Sequence, residues 1–279
     1  MVLKSYAKIN LSLSVIRKLK NGLHDIQSLF SLVNLYDEIS IKRLKSGHKD
    51  VISFFGPYSK QVKKSDNSVV RIMKFIRDNN LISNYYSIKV FKKIPAFAGL
   101  GGGTSNAASV YKFFVEKKIK KKISKKLVNI IGSDVRLFFQ DYGYLKNLNT
   151  VIKISKFKKL YILIVFPEIK CRTSEIYSKV KIYSSKKKFS KKNIKNQKEI
   201  NNFIFKAKND LQSIVEKKYP VIQKILINLR REQGCYLSRM SGSGSACYGL
   251  FFNENCSKVA LKRLKKKYPK FWFSLAKTI

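Results

Sequence analysis

Polar and apolar side chains alternate from Ala7 through Lys8, Ile9, Asn10, Leu11, Ser12, Leu13 and Ser14 to Val15. That is the period of a half-buried strand, with Lys8, Asn10 and Ser12 on one face. A turn at Asn21-Gly22 precedes an apolar stretch from Ser28 to Val33 and another alternating run, Glu38-Ile39-Ser40-Ile41-Lys42. From Ser68 to Asn79 the period changes: Val69, Val70, Ile72, Met73, Phe75 and Ile76 recur at helical spacing, with Asp66 or Ser68 placed to cap the first turn. A strand at Tyr86 to Phe91 and a helix at Asn106 to Val115 follow. The continuous apolar run Tyr161 to Phe166, stopped by Pro167, predicts a buried strand that opens a second lobe. Beyond it the pattern predicts a helix over 210–229, a strand over 246–252 and a basic helix closing the chain.

One segment breaks both periods. Pro95-Ala96-Phe97-Ala98-Gly99-Leu100-Gly101-Gly102-Gly103-Thr104-Ser105 lies between the predicted strand and the predicted helix. Glycines let backbone N–H groups converge on an anion, the Thr104 and Ser105 hydroxyls add donors or a magnesium ligand, and the helix start presents its positive end. The segment reads as a phosphate cradle. It is no Walker loop, since no lysine precedes the Thr-Ser pair, and the dinucleotide pattern GxGxxG fails at Thr104.

Charge changes this picture less than its size suggests. The formal net charge is +43 over 279 residues, but only ten of the 59 basic residues are arginine and the lysines run through the whole chain. Nucleic-acid surfaces concentrate their charge and favour arginine for bidentate contacts, so nucleic acid is not expected as the main partner. The lysine-rich stretch from Lys179 to Lys198 reads as an exposed insertion or a solvated helix face. Cys171, Cys235, Cys247 and Cys256 show no CxxC spacing, and His24 and His48 cannot complete a zinc site with them. Lysines interrupt the N-terminal segment, and no run approaches the roughly 18 apolar residues that span a bilayer. The expectation is a cytoplasmic protein without a membrane partner.

The glycine segment resembles the phosphate-binding motif of the GHMP kinases, the superfamily of galactokinase, homoserine kinase and mevalonate kinase. Ala7-Lys8-Ile9-Asn10-Leu11, Gly22-Leu23-His24 with Gln27 and Phe30, Asp66-Asn67, Gly132-Ser133-Asp134-Val135 and Ser241-Gly242-Ser243-Gly244 follow the superfamily's order, so the resemblance spans nearly the whole chain. The triple glycine before Thr104-Ser105-Asn106-Ala107-Ala108 is most similar to the branch that phosphorylates a cytidine diphosphate methylerythritol for isoprenoid synthesis.

The resemblance implies an α+β protein of two lobes. The N-terminal mixed β/α lobe, 1–157, would carry the ATP loop and the catalytic residues; a smaller C-terminal α/β lobe, 158–279, would meet it across an active-site cleft. Lys8 and Asp134 would be catalytic. Residues 95–105, Asn67 and Lys92 would hold ATP, Ser105 the accompanying Mg2+, and Asn10, His24, Thr173 and Tyr177 the substrate, with His24 bonding cytosine and Tyr177 stacking on it. The protein would be a monomer or homodimer. Rival readings are a GHMP kinase for mevalonate or homoserine, a basic nucleic-acid-binding protein, or an inactive homologue used as a binding module. The chain departs from the branch at Leu23, where an aromatic is usual, at Arg136, where proline is usual, and at Ala96-Phe97-Ala98. It also lacks a glycine-rich turn over 142–150.

Overall fold

The computed structural model describes residues 2–115, 124–154, 159–186 and 197–279. Eleven strands form among the described residues: β1 (Val2–Asn10), β2 (Ser14–Lys18), β3 (His24–Arg43), β4 (Val51–Phe55), β5 (Tyr86–Phe91), β6 (Tyr142–Asn147), β7 (Thr150–Lys153), β8 (Tyr161–Phe166), β9 (Cys235–Met240), β10 (Cys247–Phe251) and β11 (Trp272–Lys277). The α-helices are α1 (Ser68–Asp78), α2 (Gly102–Val115), α3 (Ser124–Ile131), α4 (Thr173–Ser178), α5 (Gln197–Lys206), α6 (Gln212–Lys218), α7 (Pro220–Arg231) and α8 (Glu254–Lys267). The fold class is α+β, as expected. The chain divides into two units: Met1–Lys8, Leu35–Ala96 and Gly101–Gln140 form the first, and Ile9–Asn34, Phe97–Leu100 and Asp141–Ile279 the second. The expected lobe boundary at 157/158 lies outside the described residues.

In the first unit β5 pairs parallel with β4 and antiparallel with the C-terminal half of β3, from Glu38↔Phe91 to Arg43↔Tyr86. Period two turns Ile39 and Ile41 of β3, and Ile88 and Val90 of β5, into the core, and helices α1 and α2 pack on each other. Asn67 starts α1: its Oδ1 accepts from the N–H groups of Val69 (3.0 Å) and Val70 (3.1 Å). This corrects the expected cap. Asp66 is drawn off instead into a bidentate pair with Arg71, and Ser68 is the first helical residue.

In the second unit the N-terminal half of β3 pairs with β2 through a turn in which Gly22 has φ +80°, and with β6, which pairs with β7. The β6–β7 turn needs no glycine, because Asn147 Oδ1 accepts the Asn149 N–H at 2.9 Å. A second, antiparallel sheet has the order β11–β8–β10–β9, with α7 packed on β9 and β10, and α8 on β8.

Several expectations change. The single strand over 7–15 breaks after Asn10 and is buried on both faces, since Lys8, Asn10 and Ser12 all have polar partners or burial that alternation alone cannot reveal. The helix over 210–229 is two helices, because Pro220 lacks the N–H that would continue α6 and takes the first position of α7. The expected basic helix forms as α8, but a further strand, β11, follows it and pairs with β8 from Trp272↔Phe166 to Lys277↔Tyr161. Within the lysine-rich stretch residues 179–186 form no helix, and 187–196 lie outside the described residues.

Candidate active site

Glycine conformation shapes the loop from both of its ends. Gly101, in the first unit, has φ +72°, and a Cβ there would lie 2.7 Å from Phe138 Cζ and 3.3 Å from Lys8 Cγ. Helix α2 then starts at Gly102, earlier than the expected Asn106, so two of the glycines are helical. The first i→i−4 bond runs from the Ser105 N–H to Gly101 O at 2.8 Å. The amides of Gly102, Gly103 and Thr104 therefore precede the helical ladder and are available to an anion.

Phe97 to Leu100 belong to the second unit, where they are fastened to the Ser-Gly cluster. Ala98 O accepts the Ala246 N–H (3.0 Å) and Gly99 O accepts the Ser241 hydroxyl (3.1 Å). Gly99 has φ +75°, and a Cβ there would fall 2.2 Å from Ser241 O, so no other residue fits without moving backbone. Asn209 braces the cluster by donating Nδ2–H to Met240 O and Gly242 O. Of the other loop positions, Pro95 and Ala96 sit in the first unit, where the Ala96 N–H donates to Gln61 Oε1 at 2.8 Å.

Lys8 and Asp134 come together although 126 positions separate them. Lys8 Nζ is 3.6 Å from Asp134 Oδ2; the lysine side chain is 3% exposed and the aspartate side chain 36%. Gly132, with φ +115°, turns the chain into the 3₁₀ helix Ser133–Phe139 that presents Asp134. Burial pulls the Lys8 pKa below its ordinary 10.5, and Asp134 opposes that shift. The result is a desolvated ammonium beside the Gly101 turn, facing a carboxylate that still reaches solvent. Arg136, on the same 3₁₀ helix, has a buried Nε without a hydrogen-bond partner among the described residues.

A second lysine–aspartate pair was not anticipated. Lys92 Nζ pairs with Asp37 Oδ2 and donates to Asn106 Oδ1 at 2.9 Å. Asp37, fully buried, also accepts from the N–H of Lys93 (2.7 Å), the N–H of Ile94 (2.9 Å) and Asn106 Nδ2 (2.9 Å). Asn106 Nδ2 reaches Ser5 Oγ, which donates to Ser105 Oγ at 2.8 Å, and Ser105 Oγ donates to Tyr6 O at 2.7 Å. The network ties α2 to β1 and β3. Its signal was present in the sequence: Asp37 shares the parity of Ile39 and Ile41, and Lys92 that of Ile88 and Val90. Both therefore point inward one step beyond the Glu38↔Phe91 register.

This geometry bears on three expected ligand contacts. Ser105 does not fit a magnesium ligand: it is buried and its hydroxyl is already engaged on both sides. Thr104, in the same helical turn, keeps a half-exposed side chain. Lys92 is spent on Asp37 and Asn106, and the Asn67 amide is spent on its cap and on Lys63 O and Lys64 O. No group of three His, Cys, Asp or Glu side chains is placed for a metal among the described residues.

The expected substrate residues lie in the second unit. His24 opens β3, with the Tyr177 ring of α4 at 5.1 Å and 35° and the Tyr183 ring at 6.4 Å and 28°. Burial, and secondarily the Lys18 charge, lowers the His24 pKa below 6.5, which favours the neutral ring, able to donate from one nitrogen and accept at the other. Asn10 is buried and donates Nδ2–H to Ser28 Oγ at 2.8 Å, while the Thr173 and Ser243 hydroxyls are 3.0 Å apart. Tyr183 was missed because nothing in a lysine-rich run marks one aromatic as structured.

Residues 187–270 match the family model described as GHMP kinases C terminal. The chain is 40% identical, over 99% of its length and 98% of the relative's, to the 4-diphosphocytidyl-2-C-methyl-D-erythritol kinase of Pelagibacter ubique (strain HTCC1062). It is 30% identical, over 99% and 98%, to the enzyme of the same name from Wolbachia sp. subsp. Brugia malayi. A crystal structure of 4-(cytidine 5'-diphospho)-2C-methyl-D-erythritol kinase superposes with a TM-score of 0.75 at 22% identity, covering 99% of both chains, which establishes the fold. With identity of this level over essentially its full length, the chain belongs to the 4-diphosphocytidyl-2-C-methyl-D-erythritol kinase family of GHMP kinases.

Proposed function

We propose that this protein transfers the γ-phosphoryl group of ATP to the 2-hydroxyl of 4-diphosphocytidyl-2-C-methyl-D-erythritol. The observation that carries the chemistry is the buried Lys8 ammonium, 3.6 Å from Asp134 and packed on the Gly101 turn. Asp134 accepts or orients the proton of the attacking hydroxyl. Lys8 stabilises the charge that develops on the transferring phosphoryl oxygens, with more effect for being desolvated. The free amides at the start of α2 and the left-handed Gly99 and Gly101 hold the nucleotide phosphates. Thr104 would be the loop hydroxyl to hold magnesium, which would supply charge neutralisation at the nucleotide phosphates. His24 and Tyr177 take the cytosine.

Relatives of 30% identity or more carry this kinase name, so the mevalonate, homoserine and nucleic-acid readings are not favoured. No helix of the described residues is long and apolar enough to cross a membrane, and we place the enzyme in the cytoplasm. The test is ATP-dependent phosphorylation of the purified diphosphocytidyl substrate beside mevalonate and homoserine. Turnover of the first alone is expected, and turnover of either rival alone would replace this reading.

A further inference from the structure

Two tyrosines gather at His24, and only Tyr177 comes from a helix. Tyr183 stands on an irregular segment whose neighbours contribute little to the core: Ile182 is 86% exposed and Tyr183 itself 42%. Such a segment should be loose, yet it is clamped one residue further on. The Ser184 N–H donates to Val15 O at 2.8 Å, and its hydroxyl donates to Asp210 Oδ2 at 2.7 Å. The same carboxylate oxygen accepts the Val15 N–H at 2.8 Å, and the Asp210 N–H is itself held by Leu13 O at 2.9 Å. Val15 belongs to β2, whose last pairing is Lys18↔His24. Histidine and tyrosine thus hang from the two strands of one hairpin. A carboxylate that fixes a segment with no core residue to bury is accounted for if that segment carries a functional side chain. Tyr183, half exposed beside the His24 ring, offers a flat apolar face at an edge where imidazole nitrogens can form hydrogen bonds. Leu23, the residue before His24, is aliphatic and 41% exposed.

We propose that Tyr183 is a stacking wall of the pyrimidine site at His24, supplying from the 179–186 segment the aromatic surface that position 23 lacks. The assignment rests on the function proposed above and deepens it. Stacking on an aromatic face is sequence-tolerant binding energy, felt equally in ground and transition states, so it belongs in KM more than in kcat. Tyr183 and an aromatic at position 23 would be alternative solutions to one need. Their effects should therefore be strongly non-additive.

The experiment is steady-state kinetics with the diphosphocytidyl substrate, and direct binding of CDP, on wild type, Tyr183→Ala, Tyr183→Phe, Leu23→Tyr and the Tyr183→Ala/Leu23→Tyr pair. Ser184 and Asp210 remain in all of them, so the segment stays tethered, and KM for ATP with a thermal melt checks the fold. Tyr183→Ala should weaken CDP and raise KM for the cytidine substrate on the order of tenfold. Tyr183→Phe, which keeps the face, should match wild type. Leu23→Tyr should change wild type by no more than about twofold but restore most of what Tyr183→Ala loses. If Tyr183→Ala binds CDP like wild type while His24→Ala or Tyr177→Ala does not, the wall is misassigned and the function stands. A wild-type enzyme that neither binds CDP nor turns over the substrate would overturn the function and this inference together.

Discussion

The first unit holds two lysine–aspartate pairs, each with a buried lysine, that composition would not tell apart, and only one of the two carboxylates keeps solvent access. Around Asp37 every valence is used: one ammonium, two backbone amides and one carboxamide converge on a carboxylate with no solvent exposure. Around Asp134 the pair is long, 3.6 Å, and the carboxylate side chain is 36% exposed. A saturated buried pair has nothing left to give a ligand and is costly to break from one side. A carboxylate that reaches solvent keeps an acceptor that an incoming hydroxyl could use. Solvent access to the carboxylate distinguishes the two pairs: Asp134 has it and Asp37 does not.

The largest effect should come from breaking the closed pair. Asp37→Ala leaves the Lys92 ammonium buried without a carboxylate and should cost about 3–5 kcal/mol of stability, read as a fall in the denaturant midpoint. Lys92→Met should cost less, because Asp37 keeps three N–H donors. Equal stability of Asp37→Ala and wild type would remove the scaffold role.

Breaking the open pair should cost turnover in its place. Lys8→Ala and Asp134→Ala should each lower kcat on the order of a hundredfold or more, with the dissociation constant for ATP close to the parent's. Lys8→Met should melt no lower than wild type, since it removes a desolvated charge. Near-normal turnover in either alanine variant would take that residue out of the mechanism.

The pairs also part on pH. Burial lowers the pKa of both lysines below 10.5 against the opposing pull of their aspartates. In each case the unfolded chain holds the proton more tightly, so between the folded and unfolded pKa values both lysines make stability rise with pH. Activity should tell them apart, because in the proposed reaction only Lys8 acts as a cation. The alkaline limb of kcat/KM should fall below pH 10.5 in wild type and move upward in Lys8→Arg, whose guanidinium stays protonated. A limb unmoved in Lys8→Arg would belong to another group.

The smallest effect sharpens the edge of the network. Asn67→Ala removes the cap of α1 and should cost about 1 kcal/mol of stability without raising KM for ATP. A rise in that KM beyond about threefold would return Asn67 to the adenosine site that resemblance suggested, with its amide released from Lys63 and Lys64 on binding.

What could be known from the chain alone was whatever short-range physics decides. The strands Tyr86–Phe91 and Tyr161–Phe166 and the body of α1 fall where period and flanking residues put them, because hydrophobic alternation is itself the signal of burial. The glycine loop was legible for a similar reason, since glycine takes the left-handed turns at Gly99 and Gly101 without strain. Its Lys8 and Asp134 were reachable only through resemblance, being one lysine among 49 and one acid among 16. Tertiary structure decided which of several equivalent local choices won, Asn67 over Asp66 as cap, because Arg71 captures Asp66, and it added a strand, β11, after the basic helix α8, through pairing with β8. It alone placed Asp37 across from Lys92 and Tyr183 beside His24. Those pairings lie 55 and 159 positions apart, and the free energy that selects them comes from satisfying groups buried together, a property of no local window of sequence.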